Sequence, residues 1–360
     1  MDGVKTTPLY EKHCALGAHM EAFGGFMMPI YYTRITDEHL WTRKSVALFD
    51  TAHMGIIMVD DPKLSLDRVV TVNCAKLTPG RCRYGFLLND EGGVIDDIIV
   101  YRMDESRFMV VVNAATAEND LRHIQAHVDV DVKAAFAKDL VKTDIQGPLS
   151  RDALRCLCGE AVDDLKFFAH RPVTIFGKQC ILSRTGYTGE LGFEIYLPAQ
   201  DLVRFWDELL ALDIVKPAGL GARDSLRLEM GYPLYGHELD ETVTPQEAGL
   251  RTFLDMSKEF IGKKALLDKE AAMSRRLVYF ICEGRRIARH GHAIKAGGQV
   301  VGTVTSGTLS PALERPVGCG FVSVDASETG TALAIVNERG VEIPARVVDK
   351  PFCKNTSLLS

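Results

Sequence analysis

"EGGVIDDIIVY", residues 91–101, reads as a β-strand entered from a turn, yet its interior carries two adjacent carboxylates, Asp96 and Asp97. Aspartate is depleted from strand interiors, and a charge taken out of water is costly unless it is partnered. Side chains alternate along a strand, so Val94, Asp96, Ile98 and Val100 share one face while Ile95, Asp97, Ile99 and Tyr101 share the other. Each face therefore receives one carboxylate among aliphatic neighbours. In one reading, one Asp is solvated at a hairpin mouth and the other caps a bulge. In the other, one of the two is desolvated beside Tyr101 and serves a cationic substrate or a proton transfer. Alternation alone does not choose between them.

Outward from this stretch, short aliphatic or β-branched runs at 54–60, 84–88, 94–101 and 108–113 read as strands, and "NDEGG" at 89–93, between two of them, is a hairpin signal. "TDEHLWTRKSVALFD" opens with Thr36 as a capping candidate and predicts a helix over 36–48. Further helices are expected at 117–128, 150–158 and 201–212, the second opened by Ser150 and stopped by Gly159, with strands at 173–183 and 192–197. This interleaving is mixed α+β with mostly antiparallel pairing. Beyond residue 275 strand-like runs recur between "AGGQ", "TSGTLSP" and "NERG" with little helical periodicity. Residues 1–275 are therefore expected to form one body and 276–360 a separate small β barrel.

A chain of 360 residues exceeds the usual size of a single core, so two or three domains are expected rather than a small binding module. Its composition, 46% hydrophobic and 25% charged, is that of a soluble globular protein, and no apolar run reaches the length of a membrane span. A formal charge of -6 argues against broad binding to nucleic acid or anionic membrane. Nine scattered cysteines without paired C-x-x-C units read as reduced thiols. Cys156 and Cys158, two apart on the expected helix, point in different directions and make a poor metal site. "MDGVKTTPLYEK" has neither a secretory core nor an Arg-rich transit pattern, which fits the cytoplasm, or a mitochondrial matrix protein after processing.

Other stretches carry chemical potential. "SRTGYTGELGFEIY" spaces Gly186, Gly189 and Gly192 three apart before a strand bearing Glu194. These glycines either make turns or let backbone approach a flat ligand, with Tyr187 to stack and Glu194 to accept parallel N–H bonds from a pterin-like edge. "PAGLGARDSLRLEMGY" places Arg223 and Arg227 one helical turn apart, either as an ion-pair ladder with Asp224 and Glu229 or with an Arg receiving an anion near the helix start. His123 and His127 have zinc-compatible spacing but no third ligand, and His53 and His237 are isolated histidines whose default role is structural. Neither a G-x-S-x-G elbow nor a Walker loop occurs.

The stretches "FDTAHMG", "NDEGGVIDDIIVY", "VVNAA", "SRTGYTGELGFE", "PAGLGARDSLRLE", "RIARHG", "VTSGTLSP" and "KPF" stand in the order of one family. Together they resemble the aminomethyltransferases, the T-proteins of the glycine cleavage system, from "TTPLYEKH" near the start to Phe352. The resemblance implies two intertwined α+β subdomains of ferredoxin-like character followed by a C-terminal β barrel. It implies an enzyme that moves the one-carbon unit of an aminomethyl group, carried on the lipoyl arm of H-protein, to tetrahydrofolate with release of ammonia. No metal is implied. Asp97 then takes the catalytic place, with Asp96 facing elsewhere. Met54, Tyr84, Tyr101, Asn113, Tyr187, Glu194, Arg223 and Tyr232 occupy folate-pocket positions, with Glu194 on the pterin edge. The chain departs from the family at Phe26 and Met27, where Trp and Glu are expected, and at Ala52, where Ser is usual. Two other functions stay open at this stage: a tetrahydrofolate-dependent demethylase of a free methylated amine such as dimethylglycine or sarcosine, and a non-catalytic folate binder.

Overall fold

The strand Leu140–Gln146 lies inside a six-stranded sheet, and its alternation divides that sheet into two chemically different faces. In the computed structural model, which describes residues 3–359, the chain is mixed α+β with mostly antiparallel pairing, as the sequence suggests. Two compact units divide it. The first comprises the chain up to Gly85, Asp97–Asp224 and the tail from Thr356; the second comprises Phe86–Asp96 and Ser225–Asn355.

In the first unit the six strands run in the order His170–Ile175, Lys178–Ser183, Gly192–Pro198, Leu140–Gln146, Val46–Asp50, Val215–Pro217. Val46, Leu48, Ile145, Leu182, Phe193, Ile195 and Leu197 point to one face and form its main core. Two helices cover that face. Leu202–Leu210 buries Leu202, Phe205, Trp206 and Leu209, an i, i+3, i+4, i+7 stripe, and Ser150–Cys158 adds Ala153 and Leu154. Full burial of each large apolar side chain contributes about 1.5–3 kcal/mol, so this face holds the unit together.

The opposite face is polar yet buried, carrying Lys142, Asp144, Gln146 and Glu194. Tyr196 and Ile181 on that side pack on Ile56, Tyr101, Met109 and Val111 from a second, five-stranded sheet. Its order is Arg81–Leu88, Val94–Arg102, Arg107–Val112, Gly55–Asp60, Lys133–Phe136. Phe86–Leu88 and Val94–Asp96 of that sheet are counted with the second unit, and a three-stranded sheet of Lys5–Thr6, Phe26–Tyr31 and His19–Phe23 completes the first.

In the second unit six strands between Arg275 and Val348 close into a barrel around Phe280, Cys282, Ile294, Val304 and Ile335. The "NDEGG" turn also belongs to it. Asn89 Oδ1 accepts the Gly93 N–H at 2.8 Å, Gly92 adopts φ +79, and a Cβ on Gly93 would lie 1.8 Å from the Glu241 carbonyl oxygen. No helix among the described residues is long and apolar enough to cross a membrane.

Three local expectations are corrected. The helix expected over 36–48 ends at Lys44, and Val46–Asp50 is instead a fully buried strand, because an unbroken apolar run between two neighbouring strands is worth more as sheet than as a helix end. Its N-cap is Arg34 rather than Thr36. Ser150 lies inside its helix, where its hydroxyl donates to the Leu191 carbonyl at 3.0 Å, whereas Gly159 does end that helix at φ +58. The single run expected at 173–183 is a hairpin, His170–Ile175 and Lys178–Ser183, turned at Gly177.

Candidate active site

The two neighbouring carboxylates have separate fates. Asp96 is fully buried on the face of Val94, Ile98 and Val100, whereas Asp97 is half-buried on the face that continues through Ile99 to the buried Tyr101. Asp97 Oδ2 accepts the Tyr84 hydroxyl at 3.0 Å and Oδ1 accepts the Asn113 amide at 2.9 Å. The registers Ile99↔Val111 and Val112↔Gly55 carry the row one strand further, to the half-buried Met54 beside Asn113. Tyr84 and Asp97 on their strands, and Asn113 and Met54 one residue beyond the ends of the next two, thus lie in one row across the five-stranded sheet.

A second constellation stands on the polar face of the six-stranded sheet. Lys142 Nζ donates to Asp144 Oδ1 at 2.7 Å and to Glu194 Oε1 at 2.9 Å, while Arg223 Nη1 donates to Asp144 Oδ2 at 2.7 Å. Asp144 and Glu194 are cross-strand neighbours, so the lysine bridges two carboxylates that pairing has already placed together. Thr51 Oγ1 adds a bond to Asp144 Oδ1 at 2.8 Å. Burial by itself would raise the Asp144 carboxyl, but Lys142 and Arg223 outweigh it and hold the group below the usual carboxylate range. The two cations and two anions of the ladder balance.

The ladder ends on tyrosines. Glu194 Oε2 lies 2.9 Å from the Tyr196 hydroxyl and 3.4 Å from that of Tyr101, and Tyr101 reaches Ser183 and Thr185 at 3.2 and 3.4 Å. Burial raises both phenols well above their ordinary value, which keeps them protonated donors. Arg223 carries its guanidinium 4.9 Å from the Tyr187 ring centroid, a cation–π contact at the half-buried end of the ladder.

Of the nine residues singled out from the sequence, eight lie in the first unit, in these two constellations or beside them. Tyr232 belongs to the second unit, on the turn after the helix Leu220–Glu229, where its carbonyl accepts from Arg227 Nη1 at 3.1 Å. Spacing could not name the partners of the paired arginines: Arg223 reaches Asp144, and Arg227 reaches Glu238 at 2.8 Å. In "SRTGYTGELGF", Gly189 takes a left-handed turn conformation at φ +78, and Gly186 and Gly192 are explained by protein packing. A Cβ on Gly186 or Gly192 would come within 2.2 or 2.1 Å of the Gln146 amide, which is held by Thr188 and the Thr185 carbonyl.

Sequence reasoning missed Lys142, Asp144 and Tyr196. A signal existed in "KTDIQ", where Lys142, Asp144 and Gln146 at i, i+2 and i+4 make one strand face wholly polar. It also left His53 as structural. That ring is buried, and burial, with Arg223 and Lys142 nearby, pushes it down to about 4 against the opposing pull of Asp50. The rings of His123 and His127 lie 4.5 Å apart, and among the described residues no group of three or more His, Cys, Asp or Glu is placed to hold a metal.

Comparison with known proteins places this arrangement. Residues 9–258 match the GCVT N-terminal domain and residues 275–354 the glycine cleavage T-protein C-terminal barrel domain. Aminomethyltransferases of Halothermothrix orenii and Pseudothermotoga lettingae are each 42% identical to the chain, over 97% and 98% of it and 100% and 99% of their own lengths. The crystal structure of glycine cleavage system aminomethyltransferase T from Bartonella henselae superposes with a TM-score of 0.92 at 34% identity, covering 98% of this chain and 99% of that one. Full-length coverage by both domain families, at this identity and with this fold, means that the chain belongs to the glycine cleavage T-protein family of aminomethyltransferases.

Proposed function

We propose that the chain performs the T-protein step with tetrahydrofolate as acceptor and lipoylated H-protein as carrier. The one-carbon unit of the aminomethyl group leaves the lipoyl sulfur, ammonia is released, and 5,10-methylenetetrahydrofolate forms. The observation that carries this reading is Asp97, a carboxylate fixed by two donors from neighbouring strands on the half-buried face of its own. A fixed anion stabilises positive charge as it develops on a carbon passing from sulfur to nitrogen, without reorganising at that moment. Tyr84 and Asn113 hold it in place.

The ladder suits a pterin. Glu194 engages Lys142 through Oε1 and the tyrosines through Oε2. A carboxylate offers about four lone-pair sites, so Oε1 retains capacity for an N–H from an amidine edge. Tyr101 and Tyr196 orient that carboxylate, Tyr187 and Met54 supply apolar surface for a flat ring, and Arg223 fixes the far carboxylate of the ladder. In this reading Asp97 is the catalytic residue and Met54, Tyr84, Tyr101, Asn113, Tyr187, Glu194 and Arg223 bind or orient folate.

The test is ammonia release from aminomethyl-loaded H-protein with and without tetrahydrofolate. Fast release that depends strongly on folate is expected. Turnover of free sarcosine or dimethylglycine, with no response to the loaded carrier, would overturn the assignment in favour of a demethylase.

A further inference from the structure

His53 stands in the loop that joins the two facing sheets of the first unit, between the end of Val46–Asp50 and the start of Gly55–Asp60. The loop is firmly pinned. Asp50 Oδ1 accepts the Ala52 N–H at 2.9 Å, Thr51 bonds Asp144, and the Met54 N–H returns to the Thr51 carbonyl at 3.1 Å. Asp50 is itself fixed by His13 and Thr7. The imidazole is only 8% exposed, and its Nδ1 is fully buried without a hydrogen-bond partner among the described residues. Buried polar atoms are nearly always satisfied, so a rigidly held one left open points to a ligand.

Its surroundings say which ligand. The ring meets Phe23 edge-on at 5.9 Å and Phe26 at 6.3 Å, the two ends of the "FGGF" turn. That turn rests against the residue after Asn113: a Cβ on Gly24 would lie 3.2 Å from the Ala114 Cβ. The turn that packs on His53 thus borders the residue next to Asn113, one of the two donors to Asp97. Glu194, by contrast, lies two strands away from Val46–Asp50, about 10 Å at the ordinary strand spacing. A pterin edge seated on Glu194 therefore leaves His53 clear of the ring, next in sequence to Met54. Phe23 is 40% exposed, which puts the rim of this wall at the surface. Against two aromatic rings, with Asp50 and Asp144 offsetting Lys142 and Arg223 nearby, the open nitrogen of a neutral imidazole suits an amine.

We propose that His53 is a donor-contacting residue whose Nδ1 hydrogen-bonds the amine of the aminomethyl group. This rests on the aminomethyltransferase reading above. Because the ring is held neutral, it takes the amine without adding a second cation, and it fixes the nitrogen that must depart as ammonia.

Two substitutions separate the nitrogen from the ring. His53→Phe keeps the packing against Phe23 and Phe26 and removes Nδ1, whereas His53→Asn places an amide close to the position of Nδ1. For His53→Phe, kcat/KM for loaded H-protein should fall about 10–100-fold, the range for a hydrogen bond to a charged group, while tetrahydrofolate affinity stays within about twofold. His53→Asn should recover most of the loss. In the wild type, the 15N resonance of Nδ1 should shift when loaded carrier is added without folate. Full activity in His53→Phe, equal losses in folate affinity and turnover, or an unmoved Nδ1 resonance would each overturn the role. A wild-type enzyme that ignores loaded carrier overturns the functional reading as well, whereas an active wild type with an equally active His53→Phe overturns this inference alone.

Discussion

Arg223 and Arg227 are one turn apart on the same helix, yet they end in buried networks of opposite character. Arg227 is sealed, with 1% of its side chain exposed. Its guanidinium donates to Glu238, to the Tyr232 carbonyl and to Ser306 Oγ, while Glu238 also accepts the Leu234 N–H and the Cys319 thiol. All of these groups lie in the second unit. Arg223 keeps 15% of its side chain exposed, pairs with Asp144, and leaves a face of its guanidinium on the half-buried Tyr187. A closed network fixes structure, and an open one has capacity left for a ligand. The difference teaches that a buried ion pair says little about function until its unused valences are counted.

The comparison breaks most visibly at Asp97, the half-buried carboxylate held by Tyr84 and Asn113. Asp97→Asn keeps the shape and the bond from Tyr84 but removes the charge. Transfer should fall about 10²–10³-fold or more, the range for losing one preorganised electrostatic group, with the denaturation midpoint nearly unchanged. Substantial activity in this variant would remove Asp97 from the chemistry.

The sealed network should answer in the opposite way. Arg227→Met leaves Glu238 buried without its cation, at a cost of about 3–5 kcal/mol in stability. The companion Arg227→Met with Glu238→Leu should recover part of that loss, because no charge is then stranded. Acid titration sharpens the point. Burial tends to raise the Glu238 carboxyl, but Arg227 and the hydroxyls of Thr305 and Ser306 hold it below the ordinary glutamate value. A depressed carboxylate contributes stability that is present above its unfolded value, about 4.3, and lost as pH falls through the lower folded value. Wild-type stability should therefore drop on acidification below about pH 4, and Glu238→Gln should flatten that part of the urea-midpoint profile.

Lys142 tests whether the open ladder is also structural. Lys142→Met strands Glu194 with only its tyrosine donors, while Asp144 keeps Arg223 and Thr51. We expect a stability loss toward the lower end of about 3–5 kcal/mol together with weaker tetrahydrofolate binding. Loss of stability with unchanged folate affinity would make the ladder as purely structural as its counterpart around Arg227.

Much of this was legible in the residues, and what was not had a physical reason. The alternation of "VIDDIIVY" correctly split Asp96 from Asp97, because a strand has only two faces. It could not say which face was the core, since that depends on which sheet packs behind it. The hairpin at "NDEGG" and the β texture after residue 275 followed from local turn chemistry. The helix expected over 36–48 failed where the run from Val46 meets two strands distant in sequence, a tertiary preference no local pattern carries. Charged residues at alternate positions ordinarily mark a solvated strand face, so nothing local marks Lys142 and Asp144 as buried. Their burial is created by the second sheet packing over them.

The smallest expected effect isolates what openness contributes at Arg223. Arg223→Lys keeps a positive charge that can still reach Asp144, so stability should change by less than about 1 kcal/mol. What it loses is the planar guanidinium over Tyr187, and a cation–π contact of this kind contributes about 0.5–2 kcal/mol. If Tyr187 is a ligand surface prepared by that contact, KM for tetrahydrofolate should rise roughly 2–30-fold with kcat little changed. Arg227→Lys in the sealed network should do the reverse, lowering stability because three directed bonds to Glu238, Ser306 and the Tyr232 carbonyl cannot be matched by an ammonium in the same place, while KM stays put. Two identical substitutions one helical turn apart would then report different quantities. If both instead moved stability and neither moved KM, the distinction between the two networks would be one of exposure alone.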